Sequence, residues 1–297
     1  MAQVALVCTK DREEGTYQVI DLLGINPVKG KKIMLKPNFN TSDPAPASSS
    51  EIVLKALIIK MWDMGAKSIV LAERSGPEDS HECMEKKGIF KMAKELDFEV
   101  VNLAELPVEE FTKIVPENSH WKDGFLFPKI YQNAECIVET CCLKTHQFGG
   151  HFTLSLKNAT GLVPKKNLNG NMYMREMHSS PNVRKMIVEI NTAFTPDLIV
   201  LDGVTAFVDG GPARGTLKEA DVILASTDRV AIDAVGVAML RILGTIPEIT
   251  EGKIFDQEQI ARAVELNLGV KSATEIEIIT NTKEADMIAE KIYKELL

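Results

Sequence analysis

The chain contains only five cysteines, Cys8, Cys83, Cys136, Cys141 and Cys142, and no Cys-x-x-Cys spacing. An odd and scattered set argues against a disulfide framework, a zinc ribbon and an iron–sulfur cluster, and makes a reducing cytoplasm the default compartment. No run of eighteen apolar residues occurs, so no membrane span is expected. The apolar stretch ahead of Lys10 is too short for the apolar region of a signal peptide. Internal repeats and low-complexity linkers are missing. So are G-x-G-x-x-G, the P-loop and His-Glu-x-x-His, which leaves no motif for a nucleotide site or a zinc protease.

What is present is ordinary for a globular protein. The 297 residues are 45% apolar and 26% charged, with ample material for a core. We read one domain over 1–297. The net charge is −8, which argues against nucleic acid as a partner. That charge is unevenly spread. Residues 141–185 hold seven Lys and Arg against one Glu, a local +6, and the rest of the chain carries −14. The basic segment has no series of aromatics for stacking on bases. A small anion suits it better.

Apolar runs bounded by polar or turn residues predict strands at Val4–Cys8, Lys32–Lys36, Ser68–Ala72, Glu99–Leu103, Cys136–Thr140, Leu198–Leu201, Val222–Ala225 and Glu275–Ile279. Most are continuous, as in strands covered on both faces. Helical patterns fall at Ser49–Met64, Ser80–Leu96, Asn182–Phe194, Asp228–Leu243, Gln257–Leu268 and Glu284–Leu297. The first opens on a Ser48-Ser-Ser-Glu51 capping box and stops at Gly65. The alternation predicts an α/β fold: a mainly parallel or mixed sheet with helices on both faces. Residues 37–50 read as a loop. Residues 143–181 read as an irregular inserted segment, a lid or a site-forming insertion.

Ligands of open α/β sheets gather at the carboxyl ends of the strands. The polar groups that follow the expected strands are Lys36 and Asn38, Glu73, Lys144 and His146, and Asp202. Pro37 ends its strand and leaves Lys36 at the sheet rim. Lys157 and Asn158 follow within the basic segment, and His178 is its third histidine. Arg214 lies in the loop GGPARG, where Gly210 and Gly211 form either an anion-binding nest or a tight turn needing positive φ. Adjacent Cys141 and Cys142 point to opposite faces of an extended strand and read as buried thiols. Asp233 stands in an apolar helix and needs a hydrogen-bonding partner.

The ordered series KPN (36–38), KTH (144–146), LKNATGL (156–162), His178, DG (202–203), GGPARG (210–215) and ASTDRVAIDAVG (225–236) resembles the DUF362 family of uncharacterised proteins over about residues 30–270. Many members carry a cysteine-rich ferredoxin-like segment that this sequence lacks. The resemblance implies a shared site and names no reaction.

The leading expectation is an enzyme for a small carboxylate or phosphate. Lys36, Lys157 and Arg214, with Gly210 and Gly211, would hold the anion, and Asn38 and Asn158 would orient it. His146, Lys144, Asp202 and Glu73 would do the chemistry. A divalent metal on His146, His178 and Asp202 is part of that expectation. Two alternatives stay open: an iron–sulfur or redox protein using Cys136, Cys141 and Cys142, and a non-catalytic ligand-binding or assembly factor. The sequence leaves the reaction class, the substrate and the oligomeric state unassigned.

Overall fold

A computed structural model describes residues 1–297. Its strands are β1 (Ala2–Cys8), β2 (Lys32–Lys36), β3 (Ser68–Glu73), β4 (Glu99–Asn102), β5 (Phe111–Ile114), β6 (Phe125–Pro128), β7 (Cys136–His146), β8 (His151–Thr153), β9 (Leu198–Phe207), β10 (Leu217–Ser226) and β11 (Ile276–Thr280). The helices are α1 (Arg12–Leu23), α2 (Glu51–Asp63), α3 (Ser80–Lys86), α4 (Ile89–Leu96), α5 (Lys129–Gln132), α6 (Ser155–Asn158), α7 (Tyr173–His178), α8 (Val183–Glu189), α9 (Arg229–Leu243), α10 (Pro247–Thr250), α11 (Glu258–Glu265) and α12 (Lys283–Leu296).

One sheet runs in the order β11-β1-β10-β9-β7-β2-β3-β4, with β8 folded back on β7, while β5 and β6 pair separately. The block from β9 to β4 is parallel throughout. β10 enters antiparallel between β9 and β1, and β11 is parallel to β1. The architecture is therefore α/β, with a mixed, mainly parallel sheet.

Alternation along the strands feeds two faces. Ala5, Val7, Leu35, Val138 and Val200 pack with Val19, Ile20, Leu54 and Leu57 of α1 and α2. Leu6, Leu143, Leu201 and Leu224 face the other way, onto α9, α11 and α12. A third cluster joins Met34, Ala72 and Ile137 to Trp121, Phe127 and α8. Each fully buried leucine or isoleucine there contributes about 1.5–3 kcal/mol of transfer free energy. No helix is long and apolar enough to cross a membrane.

Three local departures have clear causes. The expected helix over 80–96 is broken into α3 and α4 because Gly88 takes φ +68, a left-handed conformation that ends a helix. α2 is capped by Ser50, not Ser48, through the Ile52 N–H. The Ser48 and Ser49 hydroxyls instead bind the Thr41 and Asn38 backbone and tie down the loop over 37–50. The strand expected to stop at Thr140 continues to His146, because β8 pairs with its far end.

Between β2 and β7 the chain reverses direction across the sheet. It runs outward from β2 to β3 and β4, then returns to β7 on the other side of β2. Two neighbouring parallel strands thus send their exits to opposite sides, which opens a crevice at their carboxyl ends.

Candidate functional site

A pocket of 530 Å³ fills that crevice. β2 contributes Lys36, and the loop after it Asn38, Phe39, Asn40 and Thr41. β3 contributes Glu73, with Arg74 directly after it. β7 contributes His146, and α6 contributes Lys157 and Asn158. Lys165, Met172, Met174 and His178 come from the segment over 143–181, and Pro212, Ala213 and Arg214 close the rim. Most of the residues read from the sequence do converge.

The floor is a hydrogen-bonded chain of buried groups. The Lys36 ammonium lies 2.6 Å from Glu73 Oε2 and donates to Pro37 O (2.6 Å) and Asn158 Oδ1 (3.1 Å). Asn38 Nδ2 donates to the same Asn158 oxygen at 3.1 Å. Asn158 Nδ2 in turn donates to Glu139 Oε1 (3.1 Å), the residue paired with Lys36 across the β2–β7 register. Burial pushes the Glu139 carboxyl up to about 7, against the pull of Lys36, Arg229 and the Asn158 amide. Gly161 makes room for all this. A Cβ there would stand 2.4 Å from Glu73 Oε1 and 3.0 Å from Lys36 Nζ.

Above the floor stand Lys157 and His146. Lys157 is 6% exposed and donates no hydrogen bond to the protein. Burial, then the charges of Lys144 and Arg74, lowers its ammonium to about 7. His146 is 5% exposed, and its Nδ1 has no partner. Burial and then the Lys157 charge push it well below the usual imidazole range. A Cβ on Gly150 would lie 2.9 Å from both His146 Nδ1 and Lys157 Cε, so the two side chains flank one point. The His178 ring stacks on His146 with centroids 5.9 Å apart and planes 5° apart. Its Nδ1 lies 3.2 Å from Phe148 O.

α6 is too short to be stable alone. It is held from outside by Asp233 of α9, whose carboxylate accepts the N–H groups of Ser155 (2.8 Å) and Leu156 (3.1 Å). This is the partner the sequence demanded. Replacing Asp233 with Ala orphans both buried donors, and we expect a loss of about 1–3 kcal/mol. A weaker grip on any anion should accompany it, since α6 carries Lys157. Urea midpoints read the first effect; an unchanged midpoint would remove Asp233 from this role.

Several expected residues are placed differently. Asp202 does not line the pocket. Its carboxylate lies 2.8 Å from Arg12 Nε of α1 and accepts the Val204 N–H. It supplies neither a base nor a ligand here. Lys144 is fully buried beneath the pocket, donating to Asn38 Oδ1 (2.8 Å) and Ala47 O (2.5 Å). It fastens the loop over 37–50 and touches no pocket space. Gly210 and Gly211 are not in the lining either. Both have positive φ, and a Cβ on Gly211 would meet Thr145 O at 2.1 Å. They make the tight turn that presents Arg214.

The metal set fails with Asp202. His146 and His178 come together without it, and the nearest pocket carboxylate, Glu73, is engaged by Lys36 and the Arg74 N–H. No group of three or more His, Cys, Asp or Glu is placed to hold an ion. The residues therefore do not fit a resident metal. Cys136, Cys141 and Cys142 are all fully buried, and burial pushes each thiol upward.

Arg74, Lys165, Phe148 and Met174 were not singled out in the sequence as ligand groups. Arg74 follows a strand end and so carried a signal. Its guanidinium is bound by three carbonyls, Val163 O (2.6 Å), Ser75 O (3.0 Å) and Thr160 O (2.7 Å). Lys165, Phe148 and Met174 follow no expected strand and had no signal beyond the excess of basic residues.

A family model described as "Domain of unknown function (DUF362)" matches residues 33–238. A thylakoid-associated protein of Synechocystis sp. (strain ATCC 27184 / PCC 6803 / Kazusa) is 24% identical over 222 residues, 73% of this chain. That alignment spans 66% of the relative, just under two thirds of its length. Among solved structures, the lactate racemase apoprotein from Thermoanaerobacterium thermosaccharolyticum superposes with a TM-score of 0.47 and 10% identity. The superposition covers 97% of this chain and 86% of that one.

Proposed function

The chain belongs to the DUF362 family, and from that premise we propose that its pocket binds a small organic anion, a carboxylate or phosphate, and that the protein is an enzyme acting on it. One observation carries this reading. Lys36, Arg74, Lys157, Lys165 and Arg214 line one cavity, and the only carboxylate among them, Glu73, is already paired with Lys36. Arg74, Lys165 and Arg214 are left without a carboxylate partner in a partly desolvated space, beside a Lys157 whose ammonium burial lowers to about 7. An anion there meets a field that water screens poorly.

Arg214 and Lys165 are the direct contacts, with Lys157 beside them. Asn38 and Asn158 fix the floor that orients the ligand. An anion beside His146 favours its charged form and raises its proton affinity, which moves the imidazole toward the range useful for proton transfer. Groups displaced this far from ordinary proton affinities and gathered in one cleft are what acid–base catalysis requires.

Calorimetry and melting shifts with inorganic phosphate and a panel of small carboxylates test the reading. Anions should stabilise the protein, and the corresponding amides should not. Arg214→Ala and Lys165→Ala should each weaken binding about tenfold, equivalent to about 1.4 kcal/mol, with little change in unfolding, because Arg214 is exposed and Lys165 half-buried. Equal response to anions and amides would sink the anion reading. Tight binding with no product from any panel member would favour the ligand-binding or assembly-factor alternative.

A further inference from the structure

Each of the other buried cations at this site has a partner. Lys36 has Glu73, Lys144 has the Asn38 and Ala47 oxygens, and Arg74 has three carbonyls. Lys157 has none. Its end reaches the cavity, and the charges acting on it, those of Lys144 and Arg74, share its sign. Nothing there offsets the desolvation of an ammonium, so a substantial share of the amine is neutral near neutral pH. A neutral amine facing a ligand cavity is a nucleophile toward carbonyl carbon. A group able to relay protons stands beside it. His146 Nδ1 is buried, unpartnered and turned to the same point as the Lys157 chain. The lining also includes the apolar side chains of Phe39, Phe148, Met172 and Met174, suited to a short carbon skeleton.

This inference rests on the anion reading and narrows its substrate. We propose that Lys157 forms an imine with the carbonyl carbon of an oxo acid whose carboxylate is held by Arg214 and Lys165. The lysine nitrogen attacks the carbonyl carbon, and the carbonyl π electrons move to oxygen. A proton leaves nitrogen and reaches that oxygen through the His146 imidazole, giving a carbinolamine. A second proton follows the same route, the oxygen departs as water, and a carbon–nitrogen double bond remains. One carbonyl and one amine become one imine and one water, and no electrons are gained or lost. A proton taken up from solvent then protonates the imine nitrogen, and the positive charge it leaves is an electron sink that eases loss of a proton from the neighbouring carbon.

Reductive trapping on the wild-type protein tests this. The protein is incubated with pyruvate, 2-oxobutyrate or 2-oxoglutarate and sodium cyanoborohydride, then digested and analysed by mass spectrometry. The expected result is a reduced adduct on the peptide containing Lys157 with at least one of these acids. The adduct should need both reagents, diminish when inorganic phosphate competes, and vanish in Lys157→Arg. The matching 2-hydroxy acid should shift the melting temperature without being trapped. An oxo acid that shifts melting but leaves Lys157 unmodified overturns the imine and leaves the anion pocket standing. Adducts confined to other lysines do the same. If inorganic phosphate, oxo acids and hydroxy acids all fail to shift melting and nothing is trapped, the imine and the anion reading both fall; if phosphate alone shifts melting, only the imine falls.

Discussion

Between pH 7 and pH 9, Lys157→Met should flatten the stability profile of the protein, and at pH 7 it should make the fold more stable. Folding lowers Lys157 from an ordinary value of 10.5 to about 7, through burial first and then the charges of Lys144 and Arg74. As pH rises through 7 the native protein releases this proton, while the unfolded chain keeps it until about 10.5. For this group the unfolded state then binds more protons, so its contribution to stability must increase with pH over that interval. The slope is about 1.4 kcal/mol per pH unit for one such group. Lys144, lowered by burial to about 8, adds to it from pH 8 upward. Burial raises the five cysteines, which reverses the trend above about pH 9 and sets the upper end of the window. Subtracting the variant's profile from that of the wild type isolates Lys157. Urea midpoints at pH 7, 8 and 9 give the answer, and parallel profiles would show that the ammonium carries no penalty. A gain in stability paired with loss of anion binding marks a group kept for its chemistry at the fold's expense.

The second large effect concerns the pair beneath it. Glu73→Gln should destabilise the protein by about 3–5 kcal/mol, because it leaves the Lys36 ammonium buried without a counter-charge. Both side chains are 1% exposed and 2.6 Å apart. Lys36→Met should cost a similar amount for the mirror-image reason. The double variant Lys36→Met/Glu73→Leu should recover most of the loss, since neither charge then needs solvation. A double-mutant cycle on urea midpoints measures the coupling. Additive single effects would mean that water reaches the pair despite its burial.

The eight strands of the main path were legible because each is a compact apolar run. The polar residues at their exits were legible for the same reason: a strand covered on both faces has nowhere else to keep a lysine. Lys36, Glu73 and His146 were found in this way, and Lys157 and Asn158 from the basic segment that follows. The direction of a side chain was harder to read. Lys144 and His146 look equivalent on an extended strand, and their register with β8 is regular, but the loop over 37–50 folds across Lys144 and leaves only His146 on the pocket. Asp202 misled because its partner, Arg12, sits on α1, and α1 was not expected. That helix carries Gly15 and only a weak apolar stripe. Gly15 is required there, since a Cβ would stand 2.4 Å from Thr9 Cγ2. The β5–β6 pair was missed because its two segments are only four residues each. Gly161 and Gly150 were invisible as site residues, because what they contribute is the lack of a side chain between charged groups brought together only by folding.

The crevice between β2 and β7 is assembled from segments near residues 36, 74, 146, 157 and 214, which no local stretch of chain could hold together. An unfolded chain therefore offers the ligand nothing, and its whole affinity is transferred to the folding equilibrium. Ligand at a hundred times its dissociation constant would stabilise the native state by about 2.7 kcal/mol. The protein thus acts as its own sensor. Its resistance to heat in the presence of a metabolite mixture ranks the candidates for the pocket before any reaction is known.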